Sequence, residues 1–160
     1  MGYTNHTIMP EALEKRNLDL FGRLLPRHLE IIYDINFQFL KDLHQQGFSE
    51  EEIARASIIE EGHPKRIRMA ALSVVGSSAV NGVSALHSEL VKTRLFPEYA
   101  RLWPEKFSNK TNGIAFRRWL VAANPGLTAL INDAIGTKWH NDHTLLKDLL
   151  PMRGDASFQG

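Results

Sequence analysis

The sequence predicts a predominantly α-helical segment with little strand. Three observations carry this expectation. Residues 27–46 hold Leu29, Ile32, Ile35, Phe39 and Leu43 at three- and four-residue steps, the period of one helix face. Pro10, Pro26, Gly47 and Gly136 stand where helices start and stop. The only stretch that reads as a strand is 65–69, and a loop fits it as well.

Along the chain, Pro10 opens a short helix through Ala12, Leu13 and Glu14, and another piece runs to Leu25 before Pro26 breaks it. The long helix 27–46 follows. Glu30, Asp34, Gln38 and Lys41 form its polar face, but Ile31, Tyr33 and Phe37 widen the apolar surface, so partners are expected on more than one side. Ser49 and Glu52 make a capping box for a helix through Ile58. Residues 61–64 are a turn. Residues 69–76 are a small-residue apolar run, expected to be buried as helix or strand. Asn81-Gly82 and Asn112-Gly113 carry turn signals. Residues 84–95 read as one helix with Leu86, Leu90 and Val91 inward. Residues 117–123, 125–135 and 141–150 complete the helical set. No repeat, low-complexity stretch or linker divides the chain.

Bulk composition removes several function classes. The 160 residues are 43% hydrophobic and 23% charged, and 19 basic residues against 18 acidic ones give a net charge of +1. That balance offers no electrostatic footprint for nucleic acid. There is no cysteine, hence no disulfide and no thiolate metal site. No apolar run approaches the roughly 20 residues of a membrane helix, and no apolar signal core follows Met1. The expected location is the cytoplasm. Asn5-His6-Thr7 and Asn109-Lys110-Thr111 match a glycosylation pattern by chance. His140 and His143 are three apart but lack further ligands, so no metal is expected.

Three strings carry a resemblance. They are Asn5-His6-Thr7-Ile8-Met9-Pro10-Glu11-Ala12-Leu13-Glu14, then Ala79-Val80-Asn81-Gly82-Val83 with Ala85-Leu86-His87-Ser88, then Lys106-Phe107 through Thr111-Asn112-Gly113-Ile114 with Arg117-Arg118-Trp119. Leu24-Leu25-Pro26-Arg27-His28 and Ile67-Arg68-Met69-Ala70 lie between them. In this order and spacing, the chain resembles an internal segment of the α-1,4-glucan (glycogen/starch/maltodextrin) phosphorylase family from Tyr3 to about Leu150.

That resemblance implies an α/β glycosyltransferase-B type fold of two facing Rossmann-like domains. Residues 1–112 would end the N-terminal domain, and 113–160 would begin an incomplete C-terminal one. It implies release of glucose 1-phosphate from glucan with inorganic phosphate and pyridoxal phosphate, with configuration retained and a homodimeric parent. The lysine that holds the cofactor lies outside this chain, so the isolated chain is expected to be inactive. Such chemistry passes through an oxocarbenium-like sugar, which oriented dipoles stabilise, and hydrogen bonds to hydroxyls hold the ring.

By resemblance, the backbone carbonyl of His6 faces the sugar ring, while its imidazole and the amide of Asn112 bind the primary 6-hydroxyl. Asn81 and Val83 surround that hydroxyl pocket. Thr7, Ala12 and Glu14 line a side pocket, and Trp119 stands near the cofactor. Tyr33, Asn36, Ser57, Glu61 and Lys65 resemble a surface glycogen-storage site, with Glu30 where some animal members carry Gln. Ala115-Phe116 replaces the family's usual Thr-Pro, and Arg16 stands where many members have Trp.

Each reading has a plainer counterpart. His6 would be a polar residue in a mobile terminus, Asn81 and Asn112 ordinary turn residues, Trp119 core packing, and Tyr33 and Glu61 an exposed helix face. A non-catalytic helical carbohydrate-binding or interaction module is the rival class. Continuation of the coding sequence into a domain with the cofactor lysine separates the two.

Overall fold

The computed structural model describes residues 1–159, and the chain forms two compact units, Met1–Asn112 and Gly113–Gly160. Gly160, the last position of the expected second domain, lies outside the described residues. Most described residues are helical, and strands are confined to two three-stranded sheets. No helix among them is long and apolar enough to cross a membrane.

In the first unit, β1 (Gly2–Thr4) leads through a 3-10 turn at Pro10–Ala12 to β2 (Lys15–Asn17) and α1 (Leu18–Leu24). Asn17 caps α1, its Oδ1 accepting the Leu20 N–H at 2.9 Å. Pro26 then starts α2 (Pro26–Gln45), and Gly47 ends it at φ +76°, where a side chain would be strained. The capping box is present: Ser49 Oγ accepts from Glu52 N, and the Glu52 carboxylate accepts from Ser49 N, opening α3 (Glu50–Ala56). Residues β3 (Ile59–Glu60) and β4 (Arg66–Arg68) follow, with β4 pairing antiparallel to both β2 and β3. Next come α4 (Met69–Val75), β5 (Ala79–Gly82), α5 (Ala85–Leu90), a π-helical stretch Val91–Leu95, α6 (Pro97–Leu102) and β6 (Phe107–Asn109).

The core lies between α2 and the segments behind it. Ile32, Phe39 and Leu43 are buried, as their spacing predicts, and Asn36 lies among them. Phe39 stacks on Tyr99 with centroids 5.4 Å apart and tilts against Trp103 at 5.6 Å. Such aromatic pairs add to the burial of their large apolar area. The Tyr99 hydroxyl donates to the Ala56 carbonyl, and burial pushes its pKa well up. Ile31, Tyr33 and Phe37 remain exposed on α2.

Several local expectations are corrected. Asn81-Gly82 is no turn but the end of β5, the central strand of a parallel sheet ordered β1-β5-β6. Asn112-Gly113 lies in irregular chain rather than a turn. Residues 84–95 are α-helix and then π-helix, and Leu86 points to solvent at 72% exposure because Ser88, not Leu86, meets β5. Within 69–76 only Ala71 and Val74 are buried. The helix from Pro10 is a single 3-10 turn.

In the second unit, a π-helical stretch Arg118–Ala122 precedes α7 (Pro125–Ile135). Asn124 caps α7, Pro125 opens it, and Gly136 closes it at φ +74°. Trp139 is fully buried, and its indole N–H donates to Asn132 Oδ1 at 3.0 Å. The segment His143–Gly154 is 3-10 rather than α, with Pro151 inside it, and a short α8 (Ala156–Gln159) follows.

Candidate functional site

The three strings singled out in the sequence meet at one edge of the parallel sheet. Strands β1, β5 and β6 run the same way, with Thr4 opposite Asn81 and Gly82 opposite Asn109. Asn5-His6-Thr7, Gly82-Val83 and Thr111-Asn112 are therefore the three chain exits at the carboxyl ends. Open α/β sheets bind ligands at such ends, because backbone groups there are free of the ladder.

Each exit is fixed by hydrogen bonds. Asn5 is 1% exposed; its N–H donates to the Asn81 carbonyl at 2.9 Å. Its Oδ1 accepts the Thr7 N–H at 2.9 Å and its Nδ2 donates to the Tyr3 hydroxyl at 3.2 Å. The backbone around His6 is thereby bent and held, while the His6 side chain stays exposed. Asn81 accepts from Thr4 Oγ1 at 2.9 Å and donates to the Gly82 carbonyl at 3.0 Å, so its amide braces the strand end. The Val83 carbonyl accepts the Asn112 N–H at 2.9 Å. The Asn112 carboxamide is exposed and has no partner among the described residues. Two polar side chains, His6 and Asn112, thus stand free on fixed backbone.

Two residues that the sequence reading left out of the site hold these exits together. One is Asn5. The other is His87 in the first turns of α5. Its Nδ1 accepts the Val83 N–H at 3.0 Å, and its Nε2 lies 3.0 Å from the Thr7 carbonyl. A backbone N–H can only donate and a carbonyl can only accept, so the ring is the neutral tautomer protonated at Nε2. The signal available in the sequence was its place in the second string, four residues after Val83.

Beside this edge, His6, Thr7, Ala12 and Glu14 line a cleft of about 370 Å³ with Tyr3, Met69 and Ser73. Thr7 Oγ1 accepts the Met9 N–H at 3.0 Å, and the Glu14 carboxylate pairs with Arg16. Thr7, Ala12 and Glu14 therefore line one cleft together.

The surface constellation divides. Asn36 and Ser57 are buried and occupied: Asn36 Oδ1 accepts the Ile58 N–H at 2.8 Å, and Ser57 Oγ accepts the Ile59 N–H at 3.2 Å. Tyr33 is 43% exposed, and Glu61 and Lys65 form an exposed pair at 2.7 Å. The Glu61 hydrogen bond raises the Lys65 pKa, and Tyr33 adds slightly to the rise. In the second unit, Trp119 is 69% exposed and so does not pack into that unit's core. His140 Nε2 lies 3.0 Å from Asn132 Oδ1, and His143 packs against Phe116. Among the described residues no group of three or more His, Asp or Glu could hold a metal ion.

Comparison with known proteins follows the same pattern. A family model described as carbohydrate phosphorylase matches residues 1–160. A glycogen phosphorylase of Synechocystis sp. is 52% identical over 159 residues, covering 99% of this chain and 19% of the relative. One from Chlamydia trachomatis is 49% identical over 158 residues, covering 98% and 19%. The human brain-form glycogen phosphorylase is 51% identical over 157 residues, again covering 98% and 19%. The chain spans about a fifth of the length of these curated relatives, 19% in each case.

Proposed function

The chain belongs to the carbohydrate phosphorylase family, and from that premise we propose that it is the part of an α-1,4-glucan phosphorylase that grips the terminal sugar. The whole enzyme, a glycosyltransferase, would move a glucosyl unit from glycogen, starch or maltodextrin to inorganic phosphate. The unit Met1–Asn112 would close the N-terminal domain of a glycosyltransferase-B fold, and Gly113–Gly160 would begin the C-terminal one. On family grounds the enzyme is read as a cytoplasmic homodimer.

The observation that carries this reading is the convergence of His6, Val83 and Asn112 at the carboxyl ends of three parallel strands. His6 contributes a carbonyl dipole toward the positive charge that develops on the sugar. His6 and Asn112 each offer a free polar side chain able to bind a hydroxyl such as the 6-hydroxyl. Asn81 and Val83 shape the pocket from behind, with Asn81 acting through its brace on the strand. Thr7, Ala12 and Glu14 border the adjoining cleft. Tyr33 with Glu61 and Lys65 would hold glucan at a distance; Asn36 and Ser57 support that surface from inside.

Pyridoxal phosphate requires a lysine amine for its aldehyde and a cradle for its phosphate. By resemblance that lysine lies outside this chain, and four of the lysines present are engaged elsewhere. Lys15 is paired with Glu60, Lys65 with Glu61 and Lys92 with Glu89, while Lys106 lies over the Trp103 ring. Trp119 offers an exposed indole face.

The test is steady-state phosphorolysis by the full-length enzyme and its Asn112→Ala variant, with cofactor content matched. Loss of one preorganised donor lowers kcat by about a hundredfold, on the order of 3 kcal/mol. The KM for glucan should change less, because distant subsites also hold the polymer. Near-parental kcat would reduce Asn112 to a structural residue, and absence of glucose 1-phosphate from the parent would remove the function.

A further inference from the structure

We propose that His87 is a positioning residue for the sugar site, setting the spacing between the His6 carbonyl and the Asn112 amide through one imidazole. The proposal rests on the phosphorylase reading above. The parallel ladder ends at the pairing of Thr4 with Asn81, and the Asn5 N–H makes the last backbone bond across to β5. Beyond that point no backbone hydrogen bond joins the two exits among the described residues. The His87 ring bridges them instead, from the Val83 N–H to the Thr7 carbonyl, at 3.0 Å on each side.

The bridge is placed where it acts on both polar groups at once. Thr7 follows His6 directly. Val83, held through its N–H by His87, holds Asn112 through its carbonyl at 2.9 Å. Ring, Val83 and Asn112 thus form one chain of contacts from the exit of β1 to the exit of β6. The ring is itself fixed, because α5 is capped and tied to the sheet: the His87 N–H donates to the N-cap Ser84 Oγ at 3.1 Å, and Ser88 Oγ lies 3.1 Å from Asn109 Oδ1 of β6. An imidazole with one accepting and one donating nitrogen about two bonds apart suits a gap between a donor and an acceptor. The arrangement resembles the general device of holding reacting groups by a rigid supporting shell, where misplacement by about 1 Å costs on the order of a hundredfold in rate.

Two isosteric substitutions separate the ring's two functions. His87→Gln keeps a donor at the position of Nε2 and so keeps the Thr7 clasp. His87→Asn keeps an acceptor at the position of Nδ1 and so keeps the Val83 bond, but releases Thr7. In the full-length enzyme, His87→Asn should lower kcat by roughly tenfold or more, with KM for maltodextrin changed less than about threefold. His87→Gln, which cuts the same chain of contacts at Val83, should lose kcat by a comparable factor, and both variants should melt within a few degrees of the parent. Parental kcat in either variant, or losses that follow melting temperature, would overturn the positioning role. A parent enzyme that forms no glucose 1-phosphate would instead overturn the phosphorylase reading, so the two failures are distinguishable.

Discussion

A methyl group added at Gly82 should loosen the sheet edge that carries the site. An ideal Cβ at this position would lie 2.6 Å from Ser88 Oγ, 2.7 Å from Ser88 Cα and 2.8 Å from Ser88 N. Ordinary carbon contacts lie at about 3.5–4.0 Å. The hydroxyl could rotate away, but would leave the Ser84 carbonyl at 2.8 Å and Asn109 at 3.1 Å. The backbone atoms cannot rotate, so α5 must retreat from β5 by roughly 1 Å. Overpacking of this kind costs about 1–3 kcal/mol. At about 1.4 kcal/mol per factor of ten, the amides of β5 in Gly82→Ala should exchange roughly 5- to 150-fold faster with deuterium. The same shift moves Val83, and with it His87 and Asn112, so kcat of the full-length enzyme should fall on the order of a hundredfold. Gly113→Ala is the control: a Cβ there meets nothing within 4 Å, and its effect on stability should stay within about 0.5 kcal/mol. Parental exchange rates and parental kcat in Gly82→Ala would refute the reasoning.

Two further outcomes are expected. The Arg101 guanidinium, then the Ser49 backbone N–H, hold the Glu52 carboxylate down at about 2. Its contribution is therefore complete above the ordinary value of 4.5 and is lost as pH falls through about 2. Accordingly, the amide-exchange difference between parent and Glu52→Ala in α3 should be full at neutral pH and shrink toward pH 2; a constant difference would contradict it. On the surface of α2, Tyr33→Ala should weaken retention of the full-length enzyme on a glucan matrix by about fivefold or more. Turnover of short maltodextrins should barely change, and equal retention would remove Tyr33 from glucan binding.

Local chemistry made the helices legible. Ser49 with Glu52, Pro26 with Gly47, and Asn124-Pro125 with Gly136 each satisfy or terminate backbone groups within a few residues, so no distant partner is needed to read them. The stripe Ile32, Phe39 and Leu43 was legible for the same reason, since its period is a property of the helix itself. The parallel sheet was not. Its strands are three or four residues long and pair position 2 with 79 and 80 with 107, too short for a period and too distant for a local signal. Asn81-Gly82 illustrates the failure. The pair favours turns when considered alone, yet Thr4 and the Gly82 carbonyl hold the Asn81 amide in a strand, and Ser88 leaves no room for a side chain at position 82.

The sequence by itself therefore determined the starts of α2, α3 and α7, the buried stripe of α2 and, through three strings in register, the family. Only the tertiary structure decided that those strings share one sheet edge, that Asn36 and Ser57 are internal braces, and that His87 joins two strand exits. Capping and periodicity are encoded within a turn or two of chain. A bridge between residues 7, 83 and 87 arises only once loop closure has brought distant segments together, and no short window of sequence contains it.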